Sequence, residues 1–441
     1  MTTNIAWLLI TAFVASSIYF FILQRGKRDS VLTRLHISRR RDSGAKTPPR
    51  SLSPSKKQVQ GLANVNYVDT FPPSRHQALA GMDGFPSLEC LEQLPFTWSD
   101  KMVPLETSYM DAEDDMYMPC GFSPIALTKM EPDWWLEVEN TYVERIRERQ
   151  ALLAEHGDAV LQALDGSELA CKELMEMSLQ FLCARYPHYF QLDKENMIFN
   201  NDILHTRTDL RSTSPLQVLF DNVPEDFGLM LRDSKTGFYL FRAGIICSAL
   251  GWNVASKIGM RLHEIHAPVP DYKEKLQFSM DRYFAKKPTD KSIQRASWGL
   301  EVDQPLYMPP GHPHEKLRGQ QMTDLSLSRC NLRVDWQTLR RLPLSGAVVF
   351  NFKALFTPVE TFRDEPYIPG LLLHILNQSK QNLLDYKSTW HVEHIVKPAL
   401  HRFHTQQVET GLVEQNWDPQ TLDQAPYFPG WERKWHRQQG F

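Results

Sequence analysis

The chain has 441 residues, 42% of them hydrophobic, enough to build one large domain or two ordinary ones around a substantial core. A formal net charge of −3 excludes a protein that meets nucleic acid through its overall charge. The six cysteines lie at long, irregular spacings with no Cys-x-x-Cys pair, which excludes a disulfide framework or zinc knuckle and fits a reducing compartment.

Residues 5–23, "IAWLLITAFVASSIYFFIL", carry no charge. As a helix rising ~1.5 Å per residue they would reach roughly 28 Å, close to the hydrocarbon thickness of a bilayer. No basic segment precedes them, so a transmembrane anchor is expected rather than a signal peptide. Arg25, Lys27, Arg28, Arg34, Arg39, Arg40 and Arg41 follow directly. By the positive-inside rule residues 1–4 form a lumenal tip and everything after residue 23 is cytosolic. The expected location is a single-pass membrane protein of the endoplasmic reticulum. Residues 24–63, with "RRRDSGAKTPPRSLSPSKK", are basic and too poor in apolar residues to fold, and read as a disordered linker.

Residues 64–441 read as the folded part. A proline-punctuated lead-in, the acidic run Asp111 to Asp115 and the buried turn "MPCGFSPI" precede an amphipathic helix expected from Asp133 to Gly157. A second helix is expected from Ser167 to Tyr186. After Pro187 the pattern changes to short apolar runs: "MIFN", "PLQVLF", "FGLML" and "GFYLFRAGIICSAL", with a hairpin turn in "RDSKTGFYL". "NVASKIGMRLHEIH" reads as a helix stopped by "APVP", and Tyr272 to Lys286 as another. Two strands, "NLRVDWQTLRRL" and "GAVVFNFKALF", precede helices between Pro369 and Gln406. Strands in consecutive groups, not alternating with helices, argue for an α+β fold on an antiparallel sheet.

Glycine loops of the phosphate-binding kinds and a Gly-x-Ser-x-Gly elbow are absent from the sequence, which removes nucleotide-driven and α/β-hydrolase readings. Histidines cluster instead: His263 and His266, His312 and His314, and the set His391, His394, His401 and His404. The last set lacks the zincin spacing and reads most simply as a solvated helix face. In "GMRLHEIHAPVPDY", residues 259–272, a histidine at the helix end either caps the helix or is held out as a ligand.

From about Met118 to Leu355 the chain resembles the haem-dependent oxidative N-demethylase family, some of whose eukaryotic members are labelled the HRQ family. The likeness rests on "MPCGFSPIALTKMEPDWWLEVENTYVERIRERQALL", the Ile-His-x-Pro-Val-Pro signature in "IHAPVP", "RASWGL", and "LRVDWQTLRRLP". The resemblance implies a PAS-like antiparallel sheet flanked by helices, a b-type haem, and O₂-dependent oxidation of a C–H bond next to nitrogen. It maps the axial iron ligand onto His266, with His263 in reserve, and places Arg295, Trp298, Arg333 and Gln337 at motif positions. An arginine there would pair with a haem propionate and the tryptophan would pack on the macrocycle. The chain departs from the family at "SALGW", at Ser297 and at Asp335, which leaves the substrate open. The expected partners are a small-molecule substrate such as an amine and a membrane-bound reductase, since the sequence carries no flavin or iron–sulfur motif. A non-catalytic haem or small-ligand sensor is the alternative, and a transferase a second one.

Overall fold

The computed structural model describes residues 128–130, 135–138, 141–193, 195–288, 291–342 and 345–418. The anchor, the linker, the proline-punctuated lead-in, the acidic run and the "MPCGFSPI" turn lie outside the described residues. Among the described residues no helix is long and apolar enough to cross a membrane.

The fold is α+β. A seven-stranded antiparallel sheet runs in the order β1-β8-β9-β10-β6-β7-β2. Its strands are β1 (Thr128–Lys129), β2 (Leu161–Ala163), β6 (Asp226–Arg232), β7 (Tyr239–Ile245), β8 (Ile293–Val302), β9 (Cys330–Arg341) and β10 (Val348–Pro358). A second sheet joins β3 (Phe190–Asp193), β4 (Ile198–Asn201) and β5 (Thr206–Asp209). The β6–β7 hairpin turns where the sequence pattern predicts. The Asp233 carboxylate accepts from the Lys235 and Thr236 amides at 3.0 and 2.6 Å, and Gly237 takes the left-handed conformation that closes the turn.

Three packed cores surround the large sheet. One lies with α1 (Tyr142–His156), α2 (Glu168–Arg185) and α3 (Pro215–Asn222). A second joins β8 and β9 to α7 (Ile368–Gln378) and α9 (Trp390–Glu409). The third joins β6, β7, β9 and β10 to the β7–β8 connection, which holds α4 (Val254–Lys257), α5 (Leu262–Ile265) and α6 (Gln277–Lys286). A short helix α8 (Gln381–Lys387) lies between α7 and α9.

Several sequence expectations are corrected. The first helix starts at Tyr142, not Asp133. Trp135 and Val138 precede it and are fully buried, but the Glu137 and Val138 amides are taken by the Glu225 carboxylate and the Tyr186 hydroxyl rather than by helix carbonyls. "PLQVLF" is helical, not extended. Ser214 precedes it, Pro215 occupies the first turn, and Leu216, Leu219 and Phe220 share one buried face. "NVASKIGMRLHEIH" is not one helix but two short ones. Gly259 breaks it at φ 83°, and Asn253 and Ser256 cap the first piece reciprocally. The stretch Tyr272–Leu276 is a π-turn that leads into α6, preceded by left-handed Asp271 at φ 57°. In the C-terminal part, α9 continues through Pro398.

Candidate functional site

The register of the sheet decides which motif residues meet. Arg295 on β8 lies opposite Gln337 on β9, which lies opposite Phe352 on β10. Two residues along, Ser297, Asp335 and Ala354 form the next row on the same face. This face carries Phe350, Phe352, Leu339 and Ile293, which pack in the core beneath α4, α5 and α6. Trp298 is an odd number of positions from Arg295 and so faces the other way. It is 8% exposed, in the core with α7 and α9. The structure therefore gathers Arg295 and Gln337 on the α5 side and sets Trp298 on the opposite face of the sheet.

Arg333 shares the Arg295 face but is already committed. It is 2% exposed. Nε donates to the Asp335 carboxylate at 2.9 Å, Nη1 to the Pro305 and Leu306 carbonyls at 2.9 and 3.2 Å, and Nη2 to the Ser248 carbonyl. A propionate would have to displace these partners, so its observed work is to pin two loops to the sheet. The same network continues through Asp226, whose carboxylate accepts from the Cys247 amide, the Ser248 amide and the Ser248 hydroxyl at 2.8, 2.7 and 2.6 Å, and from Arg149 at 2.7 Å.

His266 closes α5. The Leu262 carbonyl accepts both the His266 amide, at 3.1 Å, and the ring Nδ1–H, at 2.7 Å. A carbonyl only accepts, so the proton sits on Nδ1 and the lone pair on Nε2. Among the described residues Nε2 has no hydrogen-bond partner. The ring lies parallel to the Tyr272 ring, 4.9 Å between centroids and 6° between planes. Burial pushes the imidazole pKa below its ordinary value, the Lys257 and Arg295 charges push the same way, and the Leu262 bond opposes them. The ring is therefore neutral near pH 7. Capping and ligand presentation are not alternatives here: the cap uses Nδ1 and leaves Nε2 free. His263, by contrast, packs edge-on against Phe238 at 6.0 Å, and its buried Nδ1 has no partner.

Two further cations complete the surroundings. Lys257 Nζ donates to the Ile265 carbonyl at 3.3 Å and lies 4.4 Å from the centre of the Trp252 ring, and burial lowers its pKa to about 8. Lys387 Nζ donates to the Ser297 hydroxyl at 2.8 Å, and burial likewise lowers it to about 8. Arg295 keeps solvent-accessible surface, yet enough protein surrounds it to lower its pKa by desolvation. Tyr386, 46% exposed, shows the same combination with a raised phenol. Arg295 and Tyr386 lie close enough for their charges to interact. Among the described residues neither Lys257 nor Arg295 has an ion-pair partner, and the Gln337 amide is half-buried without a side-chain partner.

Of the other clustered histidines, His401 is exposed, His312, His314, His394 and His404 are partly buried and His391 is buried, so the C-terminal set is not the solvated helix face the spacing predicts. His314 and His394 donate Nε2–H to the Val302 and Met322 carbonyls at 2.9 Å each, and His391 is 2% exposed. Among the described residues no group of three or more His, Cys, Asp or Glu side chains could hold a metal ion.

His266, with Nε2 open, thus lies near Lys257 and Arg295 beside a sheet face lined by Phe350 and Phe352. The family model for haem-dependent oxidative N-demethylase, alpha subunit-like, matches residues 126–397, more than half of the chain. The chain belongs to this family. The matched span of this N-demethylase-like chain runs from the start of the sheet into α9 and includes His266, Arg295, Gln337 and Lys387. Lys257, Tyr272 and Lys387 are site residues that sequence reasoning missed. Tyr272 ends the quoted "IHAPVPDY" block, where the spacing gave a signal. Lys387 lies 90 residues beyond its partner Ser297, where no local pattern could point to it.

Proposed function

We propose that the protein is a haem-dependent oxidoreductase that oxidises a C–H bond next to nitrogen in an organic amine. The observation that carries this is the state of His266, with Nδ1–H spent on the Leu262 carbonyl and Nε2 left as an unpartnered lone pair. A second nitrogen fixed in this way sets the tautomer and orientation of a metal-binding imidazole. The donor set fits a b-type haem. His266 would hold the iron, Lys257 and Arg295 the two propionates, and Phe352 and Trp252, whose rings lie 6.3 Å apart, would supply apolar surface. When bound, the haem supplies one-electron and O₂ chemistry that no side chain here provides. The protein's own residues keep the imidazole neutral, exclude water with the β6–β10 aromatic core, and offer the Gln337 amide as an unspent polar group on the sheet face.

A PAS-like description supports the same reading. Numbered by themselves in chain order, β6, β7, β8, β9 and β10 lie 2-1-5-4-3 across the sheet, with the site formed by the helices that connect the second strand to the third. O₂ as co-substrate, a membrane anchor at residues 5–23, an endoplasmic reticulum location and a membrane-bound reductase as electron donor complete the proposal. They rest on the apolar segment, on the basic residues after it and on the lack of a flavin or iron–sulfur motif in the sequence.

The test is the visible spectrum of the full chain, purified in detergent after expression with haem supply. A Soret band is expected in the wild type and in His263→Ala, and its loss in His266→Ala. Loss in His263→Ala with retention in His266→Ala would move the ligand. With NADPH and a reductase, O₂ uptake that depends on an added N-methylamine, with formaldehyde released, is expected of an enzyme. A Soret band without such uptake would make the protein a haem sensor.

A further inference from the structure

The sheet face that carries Arg295 and Gln337 also carries Ser297, and Lys387 Nζ is bonded to its hydroxyl. Lys257 and Lys387 are half-buried, and burial lowers the pKa of each to about 8. A haem brings two carboxylates. In the proposed arrangement these fall to Lys257 and Arg295, which leaves Lys387. The carboxylate nearest in effect to Lys387 is Asp335, whose Oδ1 is taken by Arg333 at 2.9 Å. Arg295, on the other side, repels it.

Lys387 is also placed by design of the fold rather than by chance reach. Among the described residues β1 pairs with β8 at Ile293 and Gln294, and α8 packs against β8. A Cβ on Gly299 would lie 3.6 Å from the Lys387 carbonyl, so the end of α8 sits directly on the strand. Ser388, left-handed at φ 52°, stops the helix there. The ammonium then reaches along the edge to the Ser297 hydroxyl at 2.8 Å, with the Trp298 ring 5.8 Å and the Tyr386 ring 6.0 Å away. An ammonium and a hydroxyl side by side, next to the exposed Tyr386 ring, match a carboxylate that needs two donors.

We propose that Lys387 and Ser297 form a carboxylate-binding subsite, and that the amine oxidised at this site is therefore an N-methylated amino acid or a similar amine that carries a carboxylate. The hydroxyl turns to donate once the anion arrives, and the ammonium donates to both. This specificity rests on the oxidoreductase reading, but the subsite itself does not. Ser297 is one of the positions at which the chain departs from the motif it resembles.

The test is isothermal titration of the full chain, with haem content measured first, using N-methylglycine and N-methylphenylalanine, each against its methyl ester. The wild type should bind at least one acid about tenfold or more tighter than its ester, the scale of one charge-assisted pair. The ratio should fall towards one in Lys387→Met, recover in Lys387→Arg, and fall about threefold in Ser297→Ala, with haem content unchanged throughout. No preference in the wild type, or a preference that survives Lys387→Met, overturns the subsite. Loss of haem in both Lys387→Met and Ser297→Ala also overturns it, because the pair then serves a propionate. A wild type with no haem but an intact acid-over-ester preference would sink the haem reading and leave the subsite standing.

Discussion

Replacing Arg333 with methionine should unfold the architecture of the site before it touches the cofactor. The guanidinium is buried and serves four acceptors at once: the Asp335 carboxylate and the carbonyls of Pro305, Leu306 and Ser248. Methionine fills much of the same space and removes every donor. The Asp335 carboxylate is 25% exposed and can be rehydrated, so its share of the loss is small. The carbonyls face a buried side chain, and a buried acceptor left without its charged donor costs about 1.5–3 kcal/mol. Removing one partner of a buried charged network costs about 3–5 kcal/mol in all, and we expect about 4 kcal/mol here. At ~2–4 °C per kcal/mol for domains of a few hundred residues, the thermal midpoint should drop by roughly 10 °C. Lysine at the same position should recover less than half, because one ammonium cannot reach acceptors spread over two loops and a strand. Urea titration and thermal melts followed by circular dichroism measure the effect. A methionine variant that melts within about 1 kcal/mol of the wild type while losing bound haem would refute the assignment and return Arg333 to the cofactor.

Two other perturbations read the same region and the opposite face. Tyr272→Phe keeps the ring on His266 and removes a buried hydroxyl that has no partner, so its stability should equal or exceed that of the wild type. Tyr272→Leu removes the stack and should broaden the Soret band, and a Soret band indifferent to leucine would show that the ring does not position the imidazole. On the far side, burial lowers the pKa of His391 from 6.5 to about 4, opposed by the Ser388 backbone. Its neutral form is the native one, so the stability it permits is complete above pH 6.5 and is lost as pH falls towards 4. At ~1.4 kcal/mol per pH unit, that interval is worth about 3 kcal/mol. His391→Gln should flatten the fall in urea stability between pH 6.5 and 4, and an unchanged profile would assign the acid sensitivity elsewhere.

The parts of this molecule that are legible in its sequence are those fixed by local chemistry. The period-two runs of β9 and β10 and the Asp233-to-Gly237 turn needed nothing beyond their own residues. The pattern failed where a tertiary bond outcompeted a local one. Trp135 and Val138 keep helical spacing, but amides at 137 and 138 bond to Glu225 and Tyr186, distant in the chain. The candidate site divides along the same line. His266 was visible because its signature is contiguous, and its Nδ1 bond closes within four residues. Whether Arg333 serves a ligand or the fold could not be read from its motif, because its acceptors lie on two loops, one of them 85 positions away. Trp298 was separable from Arg295 by parity alone, since three positions along any strand reverse the face. That parity is the strongest sequence-level constraint on the site: once β8 is taken as a strand, Arg295 and Ser297 must share a face that excludes Trp298. A specificity built on Ser297 therefore follows from the strand as much as from Lys387, which only the folded chain brings to its edge.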